Sequence, residues 1–430
     1  MDLFRYVKKN KADIYTKVNR MIVPVLIFLI LFAPVALKSI KIVIIGIVIA
    51  SLGLIVNRNI YKVLDKRVIK WVLIYSFTNL FFLARGNWNN FPVFKQLFPT
   101  NVLWPILYLI ILIVPLSNYV NLNLTKTFKR SLLSVEIFLF YVYLSFIGVL
   151  PRLFFFELPL GQSINMDLGF VDFFSPSITS LFFLVPFFVS TLIIRKFEKG
   201  QLYHIVGLVL FGLIISLITG RRTLIALIFA SPVITFAILK LISNVRINID
   251  LSKIKKILPL IIVFSAFLFL MLNYSGISLR INNLENELIR SGTSIRTEQF
   301  VSLMNGWLES PLLGAGLGVN ADVIRSEFVP GAYELTYVAR LFQTGVVGLA
   351  IYIYQIYWII KKLFRISAKY PHKREFVIPT LTGFLCLLIA EFTNPYLSSF
   401  DGMWIIFYAL AIVNHVLVKE EQNDKTNTLE

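Results

Sequence analysis

The chain has 430 residues, of which 57% are hydrophobic and only 15% are charged, and its formal net charge is +19 at pH 7. Repeated apolar runs long enough to cross a bilayer, which takes roughly 20 residues as helix, exclude a water-soluble fold. The only cysteine, Cys386, excludes a disulfide framework and a cysteine-based metal site. Cytoplasmic loops of multi-span proteins carry excess Lys and Arg, which explains the charge, so we do not expect nucleic acid as a partner.

The first element is a basic stretch from Arg5 to Arg20 followed at once by an apolar run. No small-residue cleavage site follows this run, so we interpret it as a retained first helix rather than a signal peptide. The apolar runs predict an all-α, polytopic membrane bundle of about twelve spans. The spans lie near residues 21–37, 40–56, 68–84, 102–120, 132–150, 179–194, 203–219, 224–242, 257–272, 335–360, 377–391 and 404–418.

These spans predict a single membrane domain over residues 1–418 and a polar tail over 419–430 that we expect to be disordered. With both termini in the cytoplasm, 30 of the 42 Lys and Arg fall on the cytoplasmic side, in agreement with the positive-inside rule. Two long segments, 151–178 and 273–334, then lie on the outer side of the membrane, opposite the cytoplasm. The second is far longer than an ordinary connection, and such loops often carry function.

The predicted outer side carries nine arginines but only three lysines, which are Lys38, Lys41 and Lys95. Topology requires only positive charge, so it does not explain a preference for the planar guanidinium group, which suits phosphate and pyrophosphate. The alternative is that these side chains reach toward lipid headgroups or pair with outer carboxylates. The nine are Arg85, Arg152, Arg221, Arg222, Arg280, Arg290, Arg296, Arg325 and Arg340.

Arg221 and Arg222 join two apolar runs with almost no loop between them. Adjacent cations at the edge of a helix bundle are unfavourable unless they face a cavity or a ligand, and the alternative is an interfacial anchor. A second intramembrane charge, Glu136, lies within the fifth predicted span. It could pair with an arginine or bond to a neighbouring helix, and the sequence does not decide between these.

The long outer segment predicts a helix from Ser294 that ends in a sharp turn rich in glycine, Gly314, Gly316 and Gly318. After it, a helix entering the membrane would place Glu334, Tyr337 and Arg340 near one face, at i, i+3 and i+6. One acid and one cation would then lie together at the outer surface.

The order of these motifs resembles the superfamily of O-antigen polymerases and O-antigen ligases. An arginine-containing segment precedes a tryptophan helix ending in Ser-Pro-Leu-Leu-Gly-x-Gly, and a later helix ends in Gln-Thr-Gly-x-x-Gly. The short arginine turn before a Thr-Leu-Ile-Ala-Leu helix and the late Thr393-Asn-Pro-Tyr396 are also similar to that superfamily. The resemblance covers residues 215 to 400, whereas the first half matches only in hydrophobic topology.

The resemblance implies a glycosyltransferase of the GT-C-like type in the bacterial cytoplasmic (inner) membrane, with its active site on the outer face. It would join oligosaccharide repeat units carried on polyprenyl pyrophosphate into O-antigen, capsule or exopolysaccharide, without metal or cofactor. Arg296 and Glu334 are the predicted catalytic residues: a guanidinium can stabilise the leaving pyrophosphate, and a carboxylate can act as base toward the acceptor hydroxyl. The predicted substrate-binding residues are Arg152, Arg221, Arg222, Tyr337 and Arg340.

The runner-up function is the ligase that transfers a finished glycan to an acceptor lipid or protein. The ligase branch typically has histidine eleven positions before the glycine that corresponds to Gly345, where this chain has Glu334. A polymerase is therefore favoured. A lipid-oligosaccharide transporter is a third alternative, but the chain lacks the internal symmetry typical of that class. The resemblance further implies a flippase and a chain-length regulator as partners.

Overall fold

A computed structural model of the chain describes residues 2–34, 36–52, 63–118, 123–146, 148–151, 163–165, 172–242, 293–324, 331 and 333–427. Within these ranges the fold is helical, apart from one antiparallel hairpin of two three-residue strands. This agrees with the predicted helical class. The hairpin, in the segment predicted to connect two spans, is the one departure among the described residues.

In chain order, the elements are α1 (Asp2–Phe32), α2 (Lys38–Leu52), α3 (Lys66–Asn87), α4 (Phe91–Phe98), α5 (Trp104–Tyr108), α6 (Val114–Asn118), α7 (Thr125–Phe146), β1 (Ser163–Asn165), β2 (Asp172–Phe174), α8 (Ile178–Ile194), α9 (Lys199–Ile218), α10 (Arg222–Leu241), α11 (Thr293–Glu309), α12 (Thr336–Lys369), α13 (Arg374–Ala390) and α14 (Phe400–Asn427). In the hairpin, Ser163 pairs with Phe174 and Asn165 with Asp172.

Six helical stretches in the described part of the chain are long and apolar enough to cross a membrane. The chain is therefore a helical, membrane-embedded protein. The six are Lys66–Asn87, Phe91–Leu116, Gly200–Ile218, Arg222–Leu241, Thr336–Lys369 and Phe400–Gln422. Helix also occupies the predicted spans 21–37, 40–56, 132–150, 179–194 and 377–391 over most of their lengths. The span predicted at 257–272 lies outside the described residues, so the number twelve stays a prediction.

Helices α4, α5 and α6 form one continuous helical stretch interrupted by two π-helical turns, Pro99–Leu103 and Leu109–Ile113. Prolines at 99, 105 and 115 have no backbone N–H, so an unbroken α-helical ladder cannot form here. The π turns accommodate the interrupted ladder. This explains why a single predicted span at 102–120 coincides with several shorter helices.

Helix α14 occupies the centre of the bundle. Every residue from Met403 to Val418 is buried except His415, which is half-buried, whereas the other five candidate spans bury less than half of their apolar windows. Near its start, Asp401 forms a buried ion pair with Lys41 of α2, with 2.6 Å between Nζ and Oδ1. Halfway along the helix, the side chain of Asn414 accepts a hydrogen bond from the backbone N–H of Asp65 and donates one to the carbonyl of Val63.

The tail predicted to be disordered from Lys419 is different in the structure, because α14 continues to Asn427. Lys369 at the end of α12 donates to Glu420 over 2.7 Å, and the hydroxyl of Tyr370 donates to the same carboxylate oxygen over 3.0 Å. These two contacts attach the turn of α14 around Glu420, just beyond the apolar core, to the end of α12. Sequence composition did not indicate them because the partners are about fifty residues away along the chain.

Candidate active site at the loop end of the bundle

Residues 293–324 pack against the start of α12, and we call this side of the molecule the loop end. Helix α11 is followed by a turn in which Gly314, Gly316 and Gly318 all have positive φ, which confirms the predicted helix and glycine turn. Leu303, Phe342 and Tyr333 form a small apolar core between the two segments. The described part of the segment predicted to lie outside, residues 293–324, is therefore an ordered layer over the bundle.

A break in α12 at Gly345 provides the attachment for this layer. Gly345 has φ +60° and ψ −172°, a backbone conformation that residues with a Cβ rarely adopt. The backbone carbonyls of residues 342–343 accept hydrogen bonds from the amides of 315–316, and the amides of 346–347 donate to the carbonyls of 311–312, over 2.8 to 3.2 Å. The loop thus pairs with both halves of the broken helix.

The end of α3 holds the other side of the same loop. Gly316 lies so close to Gly86 that a Cβ on either residue would collide with the backbone of the other. Arg85 donates from Nε to the carbonyl of Gly314 over 2.8 Å and from Nη2 to the hydroxyl of Ser310 over 3.1 Å. Arg85, one of the nine predicted outer arginines, therefore braces the loop.

The structure brings the two predicted catalytic residues together. The Nε of Arg296, in the first turn of α11, donates to Oε2 of Glu334 over 2.7 Å. Half of the Arg296 side chain and about a quarter of the Glu334 side chain, 50% and 27%, stay exposed to solvent. The pair is therefore held in place by ordered elements and open to a ligand from outside.

The predicted alignment of Glu334, Tyr337 and Arg340 on one helical face is wrong. Helix α12 begins at Thr336, with Leu335 as its N-cap, so Glu334 precedes the helix and has a different orientation. Sequence spacing suggested a helix through Glu334 because residues 333–340 contain no proline or glycine. The ordered α11 helix supplies the Arg296 contact, which holds Glu334 outside the helical geometry.

Tyr337 and Arg340 point into the bundle. The hydroxyl of Tyr337 donates to the carbonyl of Leu388 on α13 over 2.9 Å, and its ring lies 4.3 Å from that of Phe392. The guanidinium of Arg340 lies 4.0 Å from the ring centroid of Tyr352, a cation–π contact. Both residues are half-buried; Tyr337 connects the start of α12 to the end of α13, whereas the Arg340 contact lies within α12.

Sequence reasoning missed Glu391, the residue that follows α13. Its carboxyl group is 2% exposed and accepts a hydrogen bond from the backbone N–H of Leu397 over 2.9 Å, and it lies within electrostatic range of Arg340. Tyr396 interacts electrostatically with both Glu391 and Arg221. Two of the predicted pyrophosphate-binding arginines therefore lie near the 391–397 turn. The sequence signal that could have found it is an acidic residue at the end of an apolar run, two positions before Thr393-Asn-Pro-Tyr396.

Arg221 and Arg222 lie at the junction of α9 and α10, which end and begin at Ile218 and Arg222, as the absence of a loop predicted. Arg221 is half-buried and Arg222 is exposed. Arg152 lies outside the described residues. Over those residues, no group of three or more His, Cys, Asp or Glu could hold a metal ion, and the expected metal independence stays a prediction.

Glu136 on α7 lies away from this site, enclosed by α8 and α9. It is fully buried, and neither carboxylate oxygen has a hydrogen-bond partner among the described residues. The missing side chain of Gly212 leaves room for it, since a Cβ there would lie 2.9 Å from Oε1. The described contacts therefore include neither the arginine pairing nor the interhelical bond considered from the sequence.

Comparisons with known proteins add no family to these observations. No protein-family model and no curated protein matches the chain. The residues of the loop end and the resemblance in motif order are therefore the observations that bear on function.

Proposed function

We propose that the protein polymerises oligosaccharide repeat units carried on polyprenyl pyrophosphate, at the outer face of a bacterial cytoplasmic membrane. The observation that carries the proposal is the half-exposed Arg296–Glu334 pair, in which a guanidinium and a carboxylate from segments 38 residues apart are joined. In this proposal about twelve spans leave both termini in the cytoplasm and the loop end outside. The product would be O-antigen, capsule or exopolysaccharide.

The proposed reaction uses the two charged groups in complementary roles. The acceptor hydroxyl oxygen attacks the anomeric carbon of the donor, the bond from that carbon to the pyrophosphate oxygen breaks, and polyprenyl pyrophosphate leaves. Arg296 stabilises the negative charge that develops on the leaving group, and Glu334 accepts the hydroxyl proton. Exposure of the Arg296 side chain allows it to exchange its carboxylate partner for a phosphate.

A purely stabilising role explains the pair poorly. An ion pair with partners this exposed contributes about 0–1 kcal/mol to stability, because solvent screens it and two side chains must be ordered. Two further arginines lie near the 391–397 turn, where Arg340 interacts electrostatically with Glu391 and Arg221 with Tyr396. Loss of function in an Arg296 variant should therefore be separable from loss of fold.

The test is surface glycan length on a gel in a deletion strain that carries wild type, Arg296→Ala, Arg296→Lys or Asn305→Ala at matched membrane levels. Asn305 is an exposed residue of the same helix and serves as the control. We expect Asn305→Ala to give the wild-type ladder and Arg296→Ala to leave only single repeats on the acceptor. Arg296→Lys should rescue poorly, because an ammonium group lacks the bidentate geometry.

Two other outcomes would replace the proposal. Long polyprenyl-linked polymer that never reaches its acceptor would indicate a ligase. Single repeat units retained on the cytoplasmic side would indicate a transporter. A wild-type ladder from Arg296→Ala, with the protein present at normal levels, would remove Arg296 from the mechanism.

A further inference from the structure

Helix α11 carries an apolar stripe on the side that faces away from the protein. Gln299, Ser302 and Leu303 are buried against the rest of the loop end. On the opposite side Phe300, Val301 and Leu308 are exposed, Leu308 by 63%, and Val301 and Leu308 lie seven residues apart on one face. A helix in water would expose polar side chains there.

Beyond its first turn, where Arg296 and Thr297 are exposed, the polar exposed residues of α11 lie along a different edge. Glu298, Asn305 and Glu309 are exposed and recur at seven- and four-residue spacing. Helix α11 therefore has a buried face, an apolar exposed face and a polar exposed edge. This division is typical of a helix lying in the interface of a membrane, with one side toward the acyl chains.

The apolar stripe continues onto a candidate membrane span. Leu312, 68% exposed, follows α11 in the turn, and its carbonyl accepts a hydrogen bond from the amide of Val347 over 3.2 Å. Val346 and Val347 are exposed at the start of the second half of α12, and Ile353 and Tyr357 are exposed farther along the same helix. The exposed apolar surface of α12, a candidate span, and the stripe of α11 thus meet at Leu312.

The non-helical loop between them has the backbone bonding that hydrocarbon requires. Irregular backbone is tolerated at membrane depth only where its polar groups are satisfied by the protein. The carbonyls of Pro311 and Leu312 accept from α12, and the carbonyls of Gly314 and Leu317 accept from the side chains of Arg85 and Asn87. Residues 310–319 contain no charged side chain.

We propose that α11 and the turn at Leu312 lie in the outer leaflet of the bilayer, where lipid acyl chains cover Phe300, Val301, Leu308, Leu312, Val346 and Val347. Continuity with the exposed apolar surface of α12 favours lipid over a protein partner. The predicted outer segment 273–334 is then partly a membrane-inserted layer. This inference does not depend on the proposed function, because lipid contact can be measured in an inactive protein.

The experiment places one fluorescent probe at a time on the full-length protein in lipid nanodiscs. The buried native cysteine is replaced by Cys386→Ser, and new cysteines are introduced by Leu308→Cys, Leu312→Cys and, as the control, Asn305→Cys. One series of nanodiscs carries phosphatidylcholine with a nitroxide on the acyl chain. A second series receives iodide as a water-soluble quencher. Each labelled variant must unfold at the wild-type temperature.

We expect the nitroxide lipid to quench probes at 308 and 312 several-fold more strongly than the probe at 305, with the reverse order for iodide. Equal iodide quenching at all three positions would overturn the inference. Protection of 308 and 312 from both quenchers would also overturn it, since a second copy or another protein would then cover the stripe. As a second measure, Leu312→Asp should lower the unfolding temperature in nanodiscs, whereas Asn305→Asp should not.

Discussion

The buried ion pair between Lys41 and Asp401 allows a quantitative prediction about stability. The two side chains are 5% and 10% exposed, and Nζ of Lys41 also donates to the carbonyl of Ala33 over 2.8 Å. In Lys41→Met the Asp401 carboxylate loses its countercharge inside the bundle. Breaking a buried pair on one side typically costs about 3–5 kcal/mol, a large part of a total stability of about 5–15 kcal/mol.

The matched control is Lys38→Met, which removes an exposed lysine from the same helix. We expect it to change stability by no more than about 0.5 kcal/mol. The double variant Lys41→Met/Asp401→Asn removes both charges and should recover most of the loss, because a neutral pair has no uncompensated charge to bury. The assay is reversible unfolding in mixed detergent micelles, followed by tryptophan fluorescence.

Since about 1.4 kcal/mol corresponds to a factor of ten, Lys41→Met should raise the unfolding equilibrium constant by more than about a hundredfold. The double variant should lie close to wild type. If Lys41→Met unfolds like Lys38→Met, or if the double variant is no more stable than Lys41→Met, the ion pair does not link α2 to α14 as the burial indicates.

Three further predictions concern other contacts. Gly345→Ala should lower stability by at least about 1–3 kcal/mol, because φ is +60° and the new Cβ would collide with the backbone of residues 312–313. The control Gly207→Ala, whose Cβ would enter open space on a helix, should not destabilise the protein. Equal unfolding temperatures for the two variants would contradict this. Burial raises the pKa of Asp65, but hydrogen bonds from Arg67 outweigh burial and hold that pKa below its ordinary value. Because the Asp65 carboxylate caps the start of α3, Asp65→Ala should cost about 1 kcal/mol of stability at neutral pH. That difference should shrink as pH falls through the lowered pKa, and a pH-independent difference in unfolding free energy would refute it. Glu391→Gln keeps an acceptor for the buried Leu397 amide, so its stability should stay within about 1 kcal/mol of wild type, whereas Glu391→Ala removes that acceptor and should cost about 1–3 kcal/mol; equal unfolding temperatures for the two variants would contradict this.

The helical elements could be predicted because long apolar runs are a local property of the chain. The break at Gly345 could not, because it depends on pairing with residues 311–316, more than twenty-five positions away. A Gly-x-x-Gly sequence within an apolar run is also compatible with an unbroken helix. The disordered tail was predicted from polar composition, which carries no information about Glu420 meeting Lys369.

The candidate site was predictable in its members but not in its arrangement. Arg296 and Glu334 each stood out by residue type and motif position, yet their contact depends on how α11 folds back over α12. Arg85 belonged to the same set of outer arginines and has a bracing role that only the position of Gly314 reveals. Glu391 was missed because an acidic residue at the end of an apolar run is also common where a helix simply ends.

The central position of α14 has a consequence for biogenesis. This helix follows all the other described helices along the chain, yet it fills the middle of the bundle and is almost fully enclosed by protein. The helices synthesised earlier therefore enter the membrane before their central packing partner is present. The native bundle cannot form until α14 leaves the ribosome. Ribosome-arrested chains that end before Phe400 should be sensitive to membrane proteases, and chains extended at the C-terminus far enough to bring Val418 out of the ribosome should gain protection in a single step.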